Sequence, residues 1–270
     1  MTQSAFASAL STALATPDAE DEVGACLRNG LRGANADLLV VFATHHHGAG
    51  LARLLDRLGE QVGAGAAIGC TGETVIGPCR EAEGQPGLAA FAASLPGARV
   101  REFAVDPVPS DQGPDVAMEL PVDNVERCSA VVLGEPFSLP VEAFLETIER
   151  RWSGVPFVGG LASGGTGPGQ NLLFTREGVR FEGAVGVSIE GAWRLDTVVS
   201  QGCRPVGEPW IVTKARENRV EELGGRPAAV ALMEMIHSLP LEEQQLVQRA
   251  PFFGIAVDPR KSSFERGDFL

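Results

Sequence analysis

Three consecutive histidines, His45–His47, stand directly after the apolar run LLVVFAT at 38–44. An imidazole can shuttle a proton, hydrogen-bond a ligand or hold a metal. Side chains that follow one another on an extended segment point in opposite directions, so at most two of the three could reach one ion. Zinc wants three or four ligands, and no second His or Cys cluster stands at ligand spacing. We therefore expect no metal; His45 and His46 are read as polar groups of a ligand site. Cys70 in IGCTGE and Cys203 in SQGCRP each follow an apolar run, and Arg204 adjoins Cys203. Either thiol could act as a nucleophile beside a cation. Glu73 and Glu135 hold similar places after two such runs, and a carboxylate pair does acid–base work only when the two are close.

The stretch VPFVGGLASGGTGPG, 155–169, drives an apolar run into glycines. A phosphate-binding loop needs a lysine that this stretch lacks. A dinucleotide fingerprint needs a helix to follow, but Pro168 and the strand-like NLLF come next. Ser163 misses the G-x-S-x-G spacing of a nucleophile elbow. Two readings stay open: Gly159, Gly160 and Ser163 line a ligand pocket, or they form a tight turn without a ligand. No catalytic set is complete, which favours binding over turnover. No cofactor is expected.

These groups must be held by elements, and the pattern supplies them. Phe6, Leu10 and Leu14 share helical spacing, so an N-terminal helical segment is expected over residues 1–35, with a second helix starting at Thr16-Pro17. LLVVFAT, AAIGC (66–70), AVVLG (130–134) and PFVGG (156–160) read as buried strands. Leu51, Leu54, Leu55 and Leu58 form one helical stripe; Val141, Phe144, Leu145 and Ile148 form another. The two stripes are offset by 90 positions, as are Gly69 and Gly159. We read a tandem duplication, with units at about 36–105 and 128–199, each ending in a hairpin (87–105 and 183–199). The proline-rich segment 106–128 reads as a linker. Residues 198–227 read as a long hairpin tipped at Glu217-Asn218, Val230–His237 as a helix, and 252–258 as a strand. FERGDFL ends at Leu270 without a cap, which we read as a chain cut short. The fold class is α/β with mixed sheets: two related strand-helix-strand-hairpin units, followed by a partial C-terminal α/β domain.

The chain has 270 residues and a net charge of −13. That balance argues against nucleic acid and anionic membranes, which recruit Lys and Arg. Mean hydropathy is +0.06, and no 18-residue apolar run is present. Five scattered cysteines without a CxxC fit a reducing, cytoplasmic setting.

The strings LLVVFATHHHGAG, AAIGCTGETVIG, VPFVGGLASGG and VVSQGCRPVGEPWIVTKAREN together resemble the FIST family over residues 20–270. Residues 36–195 look like its N-terminal domain and 196–270 like the start of its C-terminal domain. The resemblance implies an intracellular sensory protein of signal transduction that binds a small ligand, proposed to be an amino acid, and meets a signalling partner. It carries over no catalytic residues. An amino-acid ammonium would seek Glu73 or Glu135, and its carboxylate the Gly159–Gly160 backbone or Arg204. A pocket between the units, lined by His45, Glu73, Phe137, Ser163 and Arg204, is the expectation. A cysteine-dependent enzyme using Cys70 or Cys203, and a protein-interaction scaffold, are the alternatives.

Overall fold

The computed structural model describes residues 3–111, 113–198, 205–216, 219–249, 252–256, 261 and 269. It divides into two compact units, Met1–Thr197 and Val198–Leu270. Among the described residues no helix is long and apolar enough to cross a membrane.

The first unit runs β1 (Ala5–Ser11), α1 (Thr16–Leu31), β2 (Leu38–Ala43), a 3-10 stretch His45–Arg53, α2 (Leu54–Val62), β3 (Ala66–Thr71), β4 (Thr74–Gly77), β5 (Arg80–Glu83), β6 (Leu88–Ser94), β7 (Arg99–Ser110), β8 (Gly113–Met118), β9 (Cys128–Gly134), α3 (Val141–Trp152), β10 (Phe157–Leu161), β11 (Leu173–Thr175), β12 (Gly178–Arg180) and β13 (Ala184–Glu190). Six strands form one sheet in the order β1-β6-β2-β3-β11-β12, and five form another, β10-β9-β13-β7-β8. The sheets are mixed: β2 and β3 are parallel, as are β9 and β10, while β6 and β13 run antiparallel to their neighbours.

Strand alternation builds four layers. Leu39, Val41 and Ala43 of β2 pack with Leu27 and Leu31 of α1 and Leu54 and Leu58 of α2. Leu38 and Val40, on the opposite face, meet Leu133 of β9 and Val185 and Val187 of β13. Ala130 and Val132 of β9 turn away from that inter-sheet core and pack with Phe144 and Trp152 of α3. The order is helix, sheet, sheet, helix.

Several elements differ from the sequence reading. The first segment is a strand: Ala7, Ala9 and Leu10 are buried, and residues 5–11 pair with β6 along their whole length. Propensity alone favours a helix there, but the open edge of β6 decides otherwise. Thr16 does not cap α1; Ala15 holds the cap position, and the Thr16 hydroxyl turns to His47. The expected hairpin 87–105 is a crossover between sheets, because β1 and β2 already occupy both edges of β6. After β13, residues 191–198 form no strand, so no hairpin follows it among the described residues of 183–199; residue 199 lies outside them. The supposed linker holds the β7–β8 hairpin. Its Pro107 and Pro109 fall beyond the stretch of β7 that pairs with β13, where a missing N–H costs no ladder bond to that strand. Leu145, placed on the apolar stripe of α3, is 57% exposed.

The second unit contains β14 (Val212–Arg216) and β15 (Arg219–Leu223) as an antiparallel hairpin, then β16 (Arg226–Pro227), α4 (Ala228–Ser238) and α5 (Leu241–Arg249). The expected hairpin tip, Glu217-Asn218, lies outside the described residues. The 252–258 segment holds a single bridge, Ala256 to Phe269, rather than a strand, with 257–258 outside the described residues.

Candidate functional site

β2, β3 and β10 end at neighbouring places, and the residues just past their C-terminal ends meet. His45 follows β2, Glu73 follows β3, and Ser163 follows β10. The Glu73 N–H donates to Ser163 Oγ at 3.1 Å. His45 Nε2 donates to the Ser163 carbonyl at 3.3 Å, and the Ser163 N–H donates to the Thr71 carbonyl at 3.1 Å. Gly164 closes the group. Its φ of +94° is in the left-handed region, and a Cβ there would come within 2.7 Å of His45 Cδ2 and 3.3 Å of Glu73 Cα. Glu73 and Ser163 are exposed and His45 is half-buried. The Glu73 carboxylate has no hydrogen-bond or ion-pair partner among the described residues.

Behind this group lies a buried chain of hydrogen bonds. Glu135, 0% exposed, follows β9. Its Oε2 accepts from the Phe137 N–H at 3.0 Å and from Ser138 Oγ at 2.7 Å. Its Oε1 accepts from Asn171 Nδ2 at 3.2 Å, and Asn171 Oδ1 accepts from the Gly165 N–H at 2.9 Å. Leu172 exchanges bonds with Thr71: its N–H donates to Thr71 Oγ1 at 3.0 Å, and its carbonyl accepts from the Thr71 N–H at 2.9 Å. The 162–172 segment leaves one sheet at β10 and joins the other at β11, pinned at both ends.

The sequence-derived candidates therefore separate. His45, Glu73 and Ser163 come together. Glu135 is sealed beneath them and cannot meet a ligand ammonium. Gly159 and Gly160 lie within β10, not in a turn, and a Cβ on Gly159 would overlap the Val132 carbonyl oxygen of the parallel neighbour. His46 is exposed, its Nδ1 3.2 Å from Thr44 Oγ1. His47 is buried, its Nδ1 3.2 Å from Thr16 Oγ1 and its Nε2 beyond hydrogen-bond geometry to any group among the described residues. The three rings thus go to three different partners. Burial and the neighbouring His46 push the His47 ring below the usual histidine range. Phe137 is 48% exposed and uses its N–H on Glu135. Cys203 and Arg204 lie outside the described residues.

Cys70 does not suit a nucleophile. It packs between the sheets with Ile68 and Val185, and burial pushes its thiol up to about 12. Such a thiol supplies almost no thiolate at neutral pH. An open concavity of about 360 Å³, lined by Pro107, Pro109, Asp115, Ser138 and Pro140 among others, contains none of His45, Glu73 or Ser163. Sequence reasoning missed Thr71, Asn171 and Gly164. Only the conspicuous glycine content of 159–169 pointed near them.

Residues 37–226 match the family model described as the FIST N domain. The chain belongs to the FIST N domain family. An uncharacterized protein of Mycobacterium tuberculosis (strain ATCC 25618 / H37Rv) is 34% identical over 261 residues, covering 97% of this chain and 67% of its own length. An uncharacterized protein of Mycobacterium bovis is 32% identical over 258 residues, covering 94% and 66%. The chain spans about two thirds of the length of these relatives. The FIST N match takes in the whole His45–Glu73–Ser163 group and the Glu135–Asn171 chain beneath it.

Proposed function

We propose that the first unit is the small-ligand-binding part of a cytoplasmic sensory protein, and that its ligand is an amino acid. The observation that supports this reading is the meeting of His45, Glu73 and Ser163 past the C-terminal ends of three strands, the usual place for ligands on open α/β sheets. Glu73 offers a carboxylate with no partner among the described residues, which suits an ammonium. His45, through Nδ1, and the Gly164 N–H suit a carboxylate; the Ser163 and Gly165 N–H groups are already held by the Thr71 carbonyl and Asn171 Oδ1. Each charge-assisted bond contributes about 1.5–3 kcal/mol, so two or three give micromolar to millimolar affinity, a range suited to sensing. We also propose that the two sheets descend from a tandem duplication. The common pairing order, β1-β6-β2-β3 and β7-β13-β9-β10, supports it. A ligand held by Glu73 and Ser163 would then bridge the two copies.

The test is a thermal-shift screen of the full chain against the amino acids. A ligand specific for the native state stabilises by RT ln(1 + [L]/Kd), about 2.7 kcal/mol at a hundredfold excess over Kd. A dose-dependent rise for one class of amino acid is expected, lost with the deaminated analogue and in Glu73→Gln. A cooperative melt that no amino acid raises would overturn the reading.

A further inference from the structure

The direction of every hydrogen bond in the buried chain below the site is set from its two ends. The Gly165 N–H can only donate, so Asn171 must present Oδ1 to it and Nδ2 to Glu135. The Phe137 N–H can only donate, so Glu135 must accept there as well. Ser138 Oγ accepts from the Gly183 N–H at 3.0 Å and so spends its own proton on Glu135. Both oxygens of residue 135 must therefore be acceptors. A carboxylate satisfies this, and a carboxamide does not.

We propose that Glu135 is the positioning residue of the His45–Glu73–Ser163 group, acting through Asn171 on Gly165. It touches none of the three. Asn171 fixes Gly165, the neighbour of Gly164, and Gly164 carries the turn against which the His45 ring lies. The Ser163 carbonyl and hydroxyl, which accept from His45 and Glu73, sit one residue further back. Glu135 is anchored to the five-stranded sheet, its own N–H donating to the Gly183 carbonyl at 2.8 Å. Asn171 is joined to the six-stranded sheet through Leu172 and Thr71. The relay thus sets the 163–165 loop against both sheets at once. That the positioned group binds a ligand rests on the proposed function; the relay does not.

Polarity gives the test. In Glu135→Gln the new NH2 meets either the Asn171 NH2 or the Phe137 and Ser138 donors. In Asn171→Asp the new oxygen meets Glu135 Oε1. The double variant Glu135→Gln/Asn171→Asp restores every bond, with only the one between positions 135 and 171 reversed. The carboxamide now at position 135 donates to one oxygen of the carboxylate now at position 171, and the other oxygen keeps Gly165. The readout is the NMR signal of the His45 ring in the full chain without ligand, assigned by its loss in H45Q, with the His46 ring as an internal reference. Both single variants are expected to move His45 toward its free-histidine shift while His46 stays, and the double variant to recover more than half of that displacement. A single variant that fails to fold leaves Asn171→Ala, which cuts the relay without opposing donors, to show the same His45 displacement. An undisturbed His45 in the variants that fold, or a double variant that recovers nothing, would overturn the proposal. Because no ligand enters, failure here is separate from failure of the amino-acid screen.

Discussion

Glu73 and Ser163 touch across 90 positions of chain: the backbone N–H of one donates to the hydroxyl of the other at 3.1 Å. They also hold matching places in their sheets. Gly72 N–H donates to the Ala43 carbonyl, and Ala162 N–H donates to the Gly134 carbonyl, one residue before each. The contact joins corresponding corners of the two sheets. Ser163→Ala returns the Glu73 N–H to water and should cost about 1 kcal/mol. Urea denaturation would show this as a lower midpoint with an unchanged slope.

The two adjacent glycines of β10 should respond oppositely to alanine. At Gly159 the methyl would overlap the Val132 carbonyl oxygen, whereas at Gly160 nothing lies within 4 Å. Gly159→Ala should cost about 1–3 kcal/mol by overpacking. Gly160→Ala should be neutral or stabilising by about 0.5–1 kcal/mol, since alanine loses less freedom in a strand. Paired chemical denaturation curves would check the contrast.

His47 should make the fold acid-sensitive. Its ring is held below the ordinary histidine value of 6.5 in the folded chain. Well above that value neither state protonates it, and it contributes nothing to the pH dependence. As pH falls through 6.5 the unfolded chain takes up a proton that the native ring resists, so stability drops, by at most about 1.4 kcal/mol per pH unit for one proton. Melting points between pH 7.5 and 5 should fall less steeply in His47→Gln than in the parent.

Thiol labelling should follow burial. Cys26 and Cys79 are exposed, while Cys70 and Cys128 are buried. Iodoacetamide at neutral pH should modify the first pair within minutes and leave Cys70 untouched until the protein unfolds, as peptide mass spectrometry would show. Labelling of native Cys70 at the rate of Cys79 would contradict its placement between the sheets.

Phe174 is 1% exposed and packs over the bare backbone of Gly69. Phe174→Ala should cost about 3–5 kcal/mol. The loss would register as a lower midpoint in thermal and urea melts alike.

Local periodicity was enough to find β2, α2, β3, β9, α3 and β10, because each has an apolar run or a clean stripe. It failed for β1, whose Phe6-Leu10-Leu14 spacing is overruled by pairing with a strand some 80 residues away. It also failed for β7–β8, where prolines disguise a strand. At the site, His45, Glu73 and Ser163 were recognisable by type and by their places after strands. Asn171 and Thr71 were not, since their roles come from pairing between β3 and the segment that leads into β11. Glu135 was singled out as a ligand group, and its burial against Phe137, Ser138 and Asn171, which no sequence pattern announces, keeps it from facing one.

The edge of β3 is covered by β11, a strand made about 100 residues later in synthesis. At roughly 5–20 residues per second, a ribosome needs on the order of 5–20 s to close that gap. Until Leu173 and Phe174 emerge, the nascent first sheet carries an open edge beside Gly69. The first sheet made is thus completed only by a hairpin that arrives after β10 of the second.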